Sequence, residues 1–217
     1  MTAPFGARLA AAVAARGPLC VGIDPHRELL LEWGLTDDVD GLRRFTDLVV
    51  DALTVSPYLG PGSLEPARRT AEQFGGGLFV LARTSNPDAA TFQSAMAGER
   101  SVAQTVVDTV GRWNTPDRLV GDPAASADQQ GRWGPSTGSH GVVVGATLAE
   151  LDVDLSGLRG PVLAPGLGAQ GGSVADLRRL FGDRAVVPSV SRDVLRAGAD
   201  AAALRAAADR WTAELRA

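Results

Sequence analysis

The sequence contains no lysine: all 21 of its basic residues are arginine, in a chain of 217 residues. Chemistry that needs an ammonium group, as a Schiff-base nucleophile or a proton donor, is excluded for these residues. A guanidinium cannot stand in, because it essentially never releases its proton in a protein. Cysteine is nearly absent too. The single Cys20 rules out an internal disulfide framework and fits a reducing cytosol. As a small apolar residue in a strand it needs no further role. The only histidines, His26 and His140, stand at no metal-ligand spacing, so no metal is expected. No apolar run approaches the roughly 18 residues of a membrane span. There is no basic stripe or aromatic ladder and the net charge is −4, so neither nucleic acid nor a membrane is an expected partner.

What is present alternates. Short apolar runs near 19–24, 53–56, 78–82, 141–146, 161–164 and 185–188 read as six strands, with helical patterns between them. That is an α/β chain with a parallel sheet, and residues 1–217 suffice for one domain. Phe5 to Arg16 reads as a covering helix rather than a signal peptide, since Gly17-Pro18 leads straight into a strand. A helix from Asp38 to about Leu53 runs without punctuation into the strand ending at Ser56-Pro57-Tyr58-Leu59-Gly60. Ser63 to Pro66 opens a helix that stops at Gly75, and Ser101 to Gln104 fits a capping box. Residues 112–140, rich in Gly, Pro, Ser and Asp, read as a long flexible loop. An Ala/Arg helix from about Asp200 closes the chain.

The most informative stretch is Val162 to Gly172, an apolar strand running into a loop with four glycines between residues 166 and 172. Glycines let backbone N–H groups approach a ligand, and the helix opening at Ser173 adds the positive end of its dipole. The loop matches G-x-G-x-x-G, but it comes near the end of the chain, whereas a dinucleotide fold carries that motif after its first strand. It is either an ordinary turn or a phosphate site at the mouth of a (β/α) barrel, where loops after the last two strands hold phosphate. Ser191-Arg192, after the next strand, can add a hydroxyl and a guanidinium.

Asp24, at the end of the first strand, can accept hydrogen bonds from ligand hydroxyls or serve as a turn residue before Pro25. Ser85, at another strand end, can bond a planar ligand or cap a helix. Gly134-Pro135-Ser136-Thr137-Gly138, near His140, matches G-x-S-x-G. A nucleophile elbow needs a strand before it and a helix after it, and here a polar loop precedes and a strand follows.

Leu19 to His26 with Trp33-Gly34-Leu35 resembles the opening of orotidine 5′-monophosphate decarboxylase, in the longer bacterial subfamily common in actinobacteria. Ser56 to Gly60, Thr84-Ser85-Asn86-Pro87, Arg100 to Gln104, Gly141 to Thr147, Pro165 to Gly172 and Ser191-Arg192 match in family order. The resemblance implies a TIM barrel, usually a homodimer with sites at the interface, that needs no cofactor and makes UMP and carbon dioxide. By it, Asp24 would bind ribose, Ser85 and Pro165 would lie against the pyrimidine, and Gln170, Gly171 and Arg192 would hold the phosphate.

The chain departs from that family at its chemical centre. Family members carry a lysine strand and then an Asp-x-Lys-x-x-Asp strand, and both are missing here. A first-helix match ending near Val50 passes directly to a fourth-strand match beginning near Ala52. About two βα units are absent, which leaves a barrel truncated to about six strands. No catalytic residue is retained, and the chain is expected to be inactive. Three readings follow: a decarboxylase chain that has lost a segment, a shortened barrel that binds UMP-like nucleotides without turnover, or a chain with open edges that persists by pairing with another subunit.

Overall fold

The computed structural model describes residues 5–21, 31, 36, 38, 52–115, 133, 137–198 and 200–217. In chain order its strands are β1 (Cys20–Val21), β2 (Ala52–Val55), β3 (Gly77–Arg83), β4 (Met96–Ala97), β5 (Arg100–Ser101), β6 (Gly141–Val144), β7 (Val162–Pro165) and β8 (Val186–Val190). The helices are α1 (Phe5–Arg16), α2 (Glu65–Gln73), α3 (Ala89–Gln93), α4 (Val102–Trp113), α5 (Val174–Phe181), α6 (Arg192–Leu195) and α7 (Ala201–Arg216). Six strands form one parallel sheet in the order β1-β8-β7-β6-β3-β2, and β4 and β5 make a separate antiparallel pair. From β2 to β8 each strand lies beside the one before it, and β1 ends the row. This is the strand order of a (β/α) barrel opened between β1 and β2, a truncated TIM-barrel-like fold.

The strands read as continuous apolar runs because both faces are covered. Along β3, Leu78, Val80 and Ala82 face outward and pack with Val106, Val107 and Val110 of α4, in a core that extends to Leu177 and Leu180 of α5. Phe79 faces the other way, into a smaller inner cluster with Val143, Val187 and Phe5. Phe5 meets Phe79 edge-on, with ring centroids 6.4 Å apart, so α1 closes the N-terminal end of the sheet. Gly77 makes this possible: a Cβ there would lie 2.4 Å from the Phe5 ring and 2.0 Å from the Ser139 carbonyl oxygen.

All six expected strands are present, but several local expectations change. Leu53 belongs to β2, and the rest of the helix expected from Asp38 lies almost wholly outside the described residues. The loop expected over 112–140 begins two residues late. Arg112 and Trp113 are still helical, because the Val106–Val107–Val110 face continues to Trp113, which packs edge-on against the His140 ring. Most of the rest of that stretch is outside the described residues. Ser101 does cap α4, accepting from the Gln104 N–H, but Gln104 does not complete a capping box. Its buried amide instead accepts from the Asp154 N–H at 2.7 Å and donates to the Asp154 carbonyl at 3.0 Å, which fastens α4 to the 147–160 segment.

Candidate functional site

In a parallel sheet all strand C-termini open at one end, and there the matched segments gather. Ser85 follows β3 in a turn held by α3. The Thr84 N–H donates to Gln93 Oε1 at 2.8 Å, and Gln93 Nε2 donates to Thr84 Oγ1 at 2.8 Å. Ser85 is exposed, and its hydroxyl has no hydrogen bond among the described residues. Gly145 after β6 packs directly on it, since a Cβ there would sit 3.0 Å from the Ser85 hydroxyl oxygen. Pro165 ends β7 beside Ser189, and its carbonyl accepts from the Ala146 N–H at 2.8 Å. The loops after β3, β6 and β7 are therefore stitched in series.

The glycine loop after β7 closes largely on itself. The N–H groups of Gly168, Gly171 and Gly172 donate to the carbonyls of Gly172, Gly168 and Gly166 at 3.0, 2.7 and 2.9 Å. The Gly171 amide is thus already engaged. Gln170 is exposed at the tip, with its Oε1 3.5 Å from where a Gly166 Cβ would be. The loop seats on the next unit through Gly168 (φ 69°), where a Cβ would lie 2.0 Å from Asp193 Oδ2 and 2.8 Å from the Trp211 ring.

The start of α5 does not serve an anion as expected. Ser173 and Asp176 form a complete capping box: Asp176 Oδ2 accepts from the Ser173 hydroxyl at 2.6 Å and the Ser173 N–H at 3.1 Å. Those bonds hold the Asp176 carboxyl below its usual pKa, so a negative charge already occupies the helix terminus. The cation available to a phosphate comes from the other side. Arg192, exposed at the first turn of α6, makes no hydrogen bond or ion pair among the described residues, whereas its neighbour Asp193 pairs with Arg196 at 3.8 Å. Ser191 caps nothing with its side chain.

This rim can be compared with known proteins. The orotidine 5′-phosphate decarboxylase / HUMPS family model matches residues 39–207. The chain belongs to that family. An orotidine 5′-phosphate decarboxylase of Salinispora arenicola (strain CNS-205) is 42% identical over 287 aligned positions, covering 98% of this chain and 97% of its own length. The Streptomyces coelicolor decarboxylase is 40% identical over the same span and coverage. A crystal structure of a Streptomyces avermitilis protein described as a decarboxylase of this kind superposes with a TM-score of 0.79 at 39% identity, over 99% of this chain and 95% of that one. The 287 positions exceed the 217 residues of this chain by 70, so at least 70 positions of those two decarboxylases face gaps here.

Of the decarboxylase-like site residues read from the sequence, Ser85, Pro165, Gln170, Gly171 and Arg192 all lie at the C-terminal end of the sheet, Pro165 as the last residue of β7 and Arg192 as the first of α6. Asp24 and His26 lie outside the described residues. His140 is at the opposite, N-terminal end, with its ring buried. It accepts from the Leu78 N–H through Nδ1 at 3.3 Å and faces Glu72 through Nε2 at 3.1 Å, a structural role; Ser136 lies outside the described residues. The Cys20 thiol, bonded to Ser189, has its pKa raised by burial and stays neutral. Among the described residues no group of three or more His, Cys, Asp or Glu could hold a metal, and no helix is long and apolar enough to cross a membrane. Sequence reasoning missed Gln93, whose only signal was its place nine residues after Thr84.

Proposed function

We propose that this chain holds a pyrimidine nucleoside monophosphate of the UMP class at the rim and does not decarboxylate orotidine 5′-phosphate: a pseudoenzyme of the decarboxylase lineage in pyrimidine biosynthesis. The observation that carries the second half is the absence of lysine from all 217 residues. Loss of carbon dioxide leaves an electron pair on the pyrimidine ring carbon, which needs a cation beside it and then a proton. Arginine supplies charge but no proton.

The first half rests on Arg192, which has no partner among the described residues and follows β8 next to the loop that presents Gln170. These two take the phosphate; Ser85 and Pro165 lie against the base, and Asp24 takes the ribose. Gly171 contributes shape rather than an amide: its φ is 92° and the space around it is open. Calorimetric titration with UMP tests this. Saturable binding is expected, weakened by Arg192→Ala about ten- to hundredfold, the equivalent of ~1.5–3 kcal/mol for a hydrogen bond to a charged group. Binding that is absent, or indifferent to Arg192→Ala, removes the nucleotide reading. Carbon dioxide released from labelled orotidine 5′-phosphate by the purified chain removes the inactive one.

The protein acts as a homodimer in this reading. Exposed Tyr58, Leu59, Phe92 and Met96, on segments following β2 and β3, supply apolar surface for it, with the Tyr58 and Phe92 rings 5.6 Å apart. Sedimentation at the 22.4 kDa monomer mass would exclude the dimer.

A further inference from the structure

The inner face of the sheet is not filled at its N-terminal end. A cavity of about 320 Å³ lies between α1 and the strands, lined by Phe5, Cys20, Thr54, Phe79, Leu163 and Val187 among others. It reaches from Cys20 on one edge strand to Thr54 on the other. In a closed barrel, side chains from alternate strands complete each interior layer. Among the described residues no strand stands between β1 and β2 to complete this layer, and the cavity lies between those two edges. The backbone tells the same story: among the described residues β1 pairs only with β8, and β2 only with β3. Among the described residues each edge strand therefore has one row of N–H and C=O groups with no strand beside it, the template on which a further strand adds.

The size of what would fit can be read from the chain itself. Successive strands start 25 residues apart from β2 to β3, 21 from β6 to β7 and 24 from β7 to β8. The 70 or more positions that the two decarboxylases carry and this chain lacks are long enough for two such units, and a barrel of eight strands needs two more than the six seen here. We propose that this half-barrel is the acceptor of a two-chain barrel, in which a βαβα segment of about 70 residues from another polypeptide pairs with the β1 and β2 edges and fills the cavity with apolar side chains. The occupant is a parallel-stranded segment with the sequence character of the one missing here. Its docking does not depend on nucleotide binding.

The test mixes the full 217-residue chain with a recombinant peptide spanning the positions of the Salinispora arenicola decarboxylase that face gaps in this chain. Native mass spectrometry should show a one-to-one complex. Hydrogen exchange at Cys20–Val21 and Ala52–Val55 should slow at least tenfold in that complex. Thr54→Arg, which puts a guanidinium on the rim of the cavity, should abolish it, while Thr70→Arg on the exposed side of α2 should not. No complex overturns the proposal, as does a complex that leaves both edges unprotected. Edges already protected without the peptide also overturn it, because they are then not open to a second chain. The exchange measurement on the unsubstituted chain decides the matter even if Thr54→Arg fails to fold.

Discussion

Asn114, which ends α4, fastens three segments at once and permits a quantitative stability test. Its Nδ2 donates to the carbonyls of His140 at 2.7 Å and Leu158 at 2.9 Å, and its Oδ1 accepts from the His140 N–H at 3.1 Å. The surrounding backbone is built to admit the amide. A Cβ on Gly138 would lie 2.3 Å from Asn114 Oδ1, and one on Gly160 would lie 2.5 Å from Nδ2. Asn114→Ala removes all three bonds beside a residue that is 2% exposed, where water cannot easily replace them. At about 1 kcal/mol per bond, with an added cost for buried groups left unpaired, the loss should be about 2–4 kcal/mol. Urea unfolding followed by circular dichroism measures it, with an unchanged m-value as the sign that only stability moved. Asn114→Asp keeps the size but turns a carboxylate oxygen toward two carbonyls, so its loss should be at least as large. If Asn114→Ala costs less than about 0.5 kcal/mol, or Asn114→Asp is neutral, packing alone holds this seam and the hydrogen-bond argument fails.

Two further outcomes are expected. Gly168→Ala should weaken UMP binding by about tenfold or more, because a Cβ at φ 69° costs about 1–2 kcal/mol and would strike Asp193, pushing the loop off α6; calorimetry with unchanged affinity would refute the seating. Stability should also fall on acidification through the His140 window. Burial holds the His140 imidazole below its ordinary 6.5 despite the opposing bond to Glu72, and Arg68 lowers it further. The unfolded chain therefore takes up this proton first. The contribution is complete above pH 6.5 and is lost as pH falls from there through the lowered folded value, with a slope of up to about 1.4 kcal/mol per pH unit. Unfolding free energies between about pH 7.5 and 5.5 should show that slope and His140→Gln should flatten it; an identical slope in the variant would assign it elsewhere. Glu65, whose pKa the Arg68 and Arg69 hydrogen bonds lower to about 2, titrates well below this window.

Much of the fold was legible because buried parallel strands announce themselves. Leu78 to Ala82, Gly141 to Val144 and Val162 to Ala164 are short apolar runs bounded by glycine, proline or polar turns. The two-residue strands β4 and β5 carry no such run, and they form only because the chain turns at Gly98 (φ 72°). The rim was legible as motifs, but its chemistry was not. Ser173-Val174-Ala175-Asp176 already spelled a capping box, yet only the closed geometry shows that Asp176 occupies the anion position at α5 and leaves that charge to Arg192. Gln93 and Asn114 were invisible for a different reason. Each acts on backbone brought to it by the fold, from nine and up to 44 residues away.

By itself, then, the sequence determined the alternation of elements, the glycine loop with its following Arg192, and the absence of lysine, the one side chain that brings both a fixed positive charge and a transferable proton at neutral pH. These are properties of residue type and local period. Only the tertiary structure decided which elements became neighbours. It set β1 beside β8 and β2 beside β3, with no strand joining β1 to β2 among the described residues, and left a cavity between Cys20 and Thr54. Whether a sheet closes depends on backbone pairing between distant segments, and no local pattern records that.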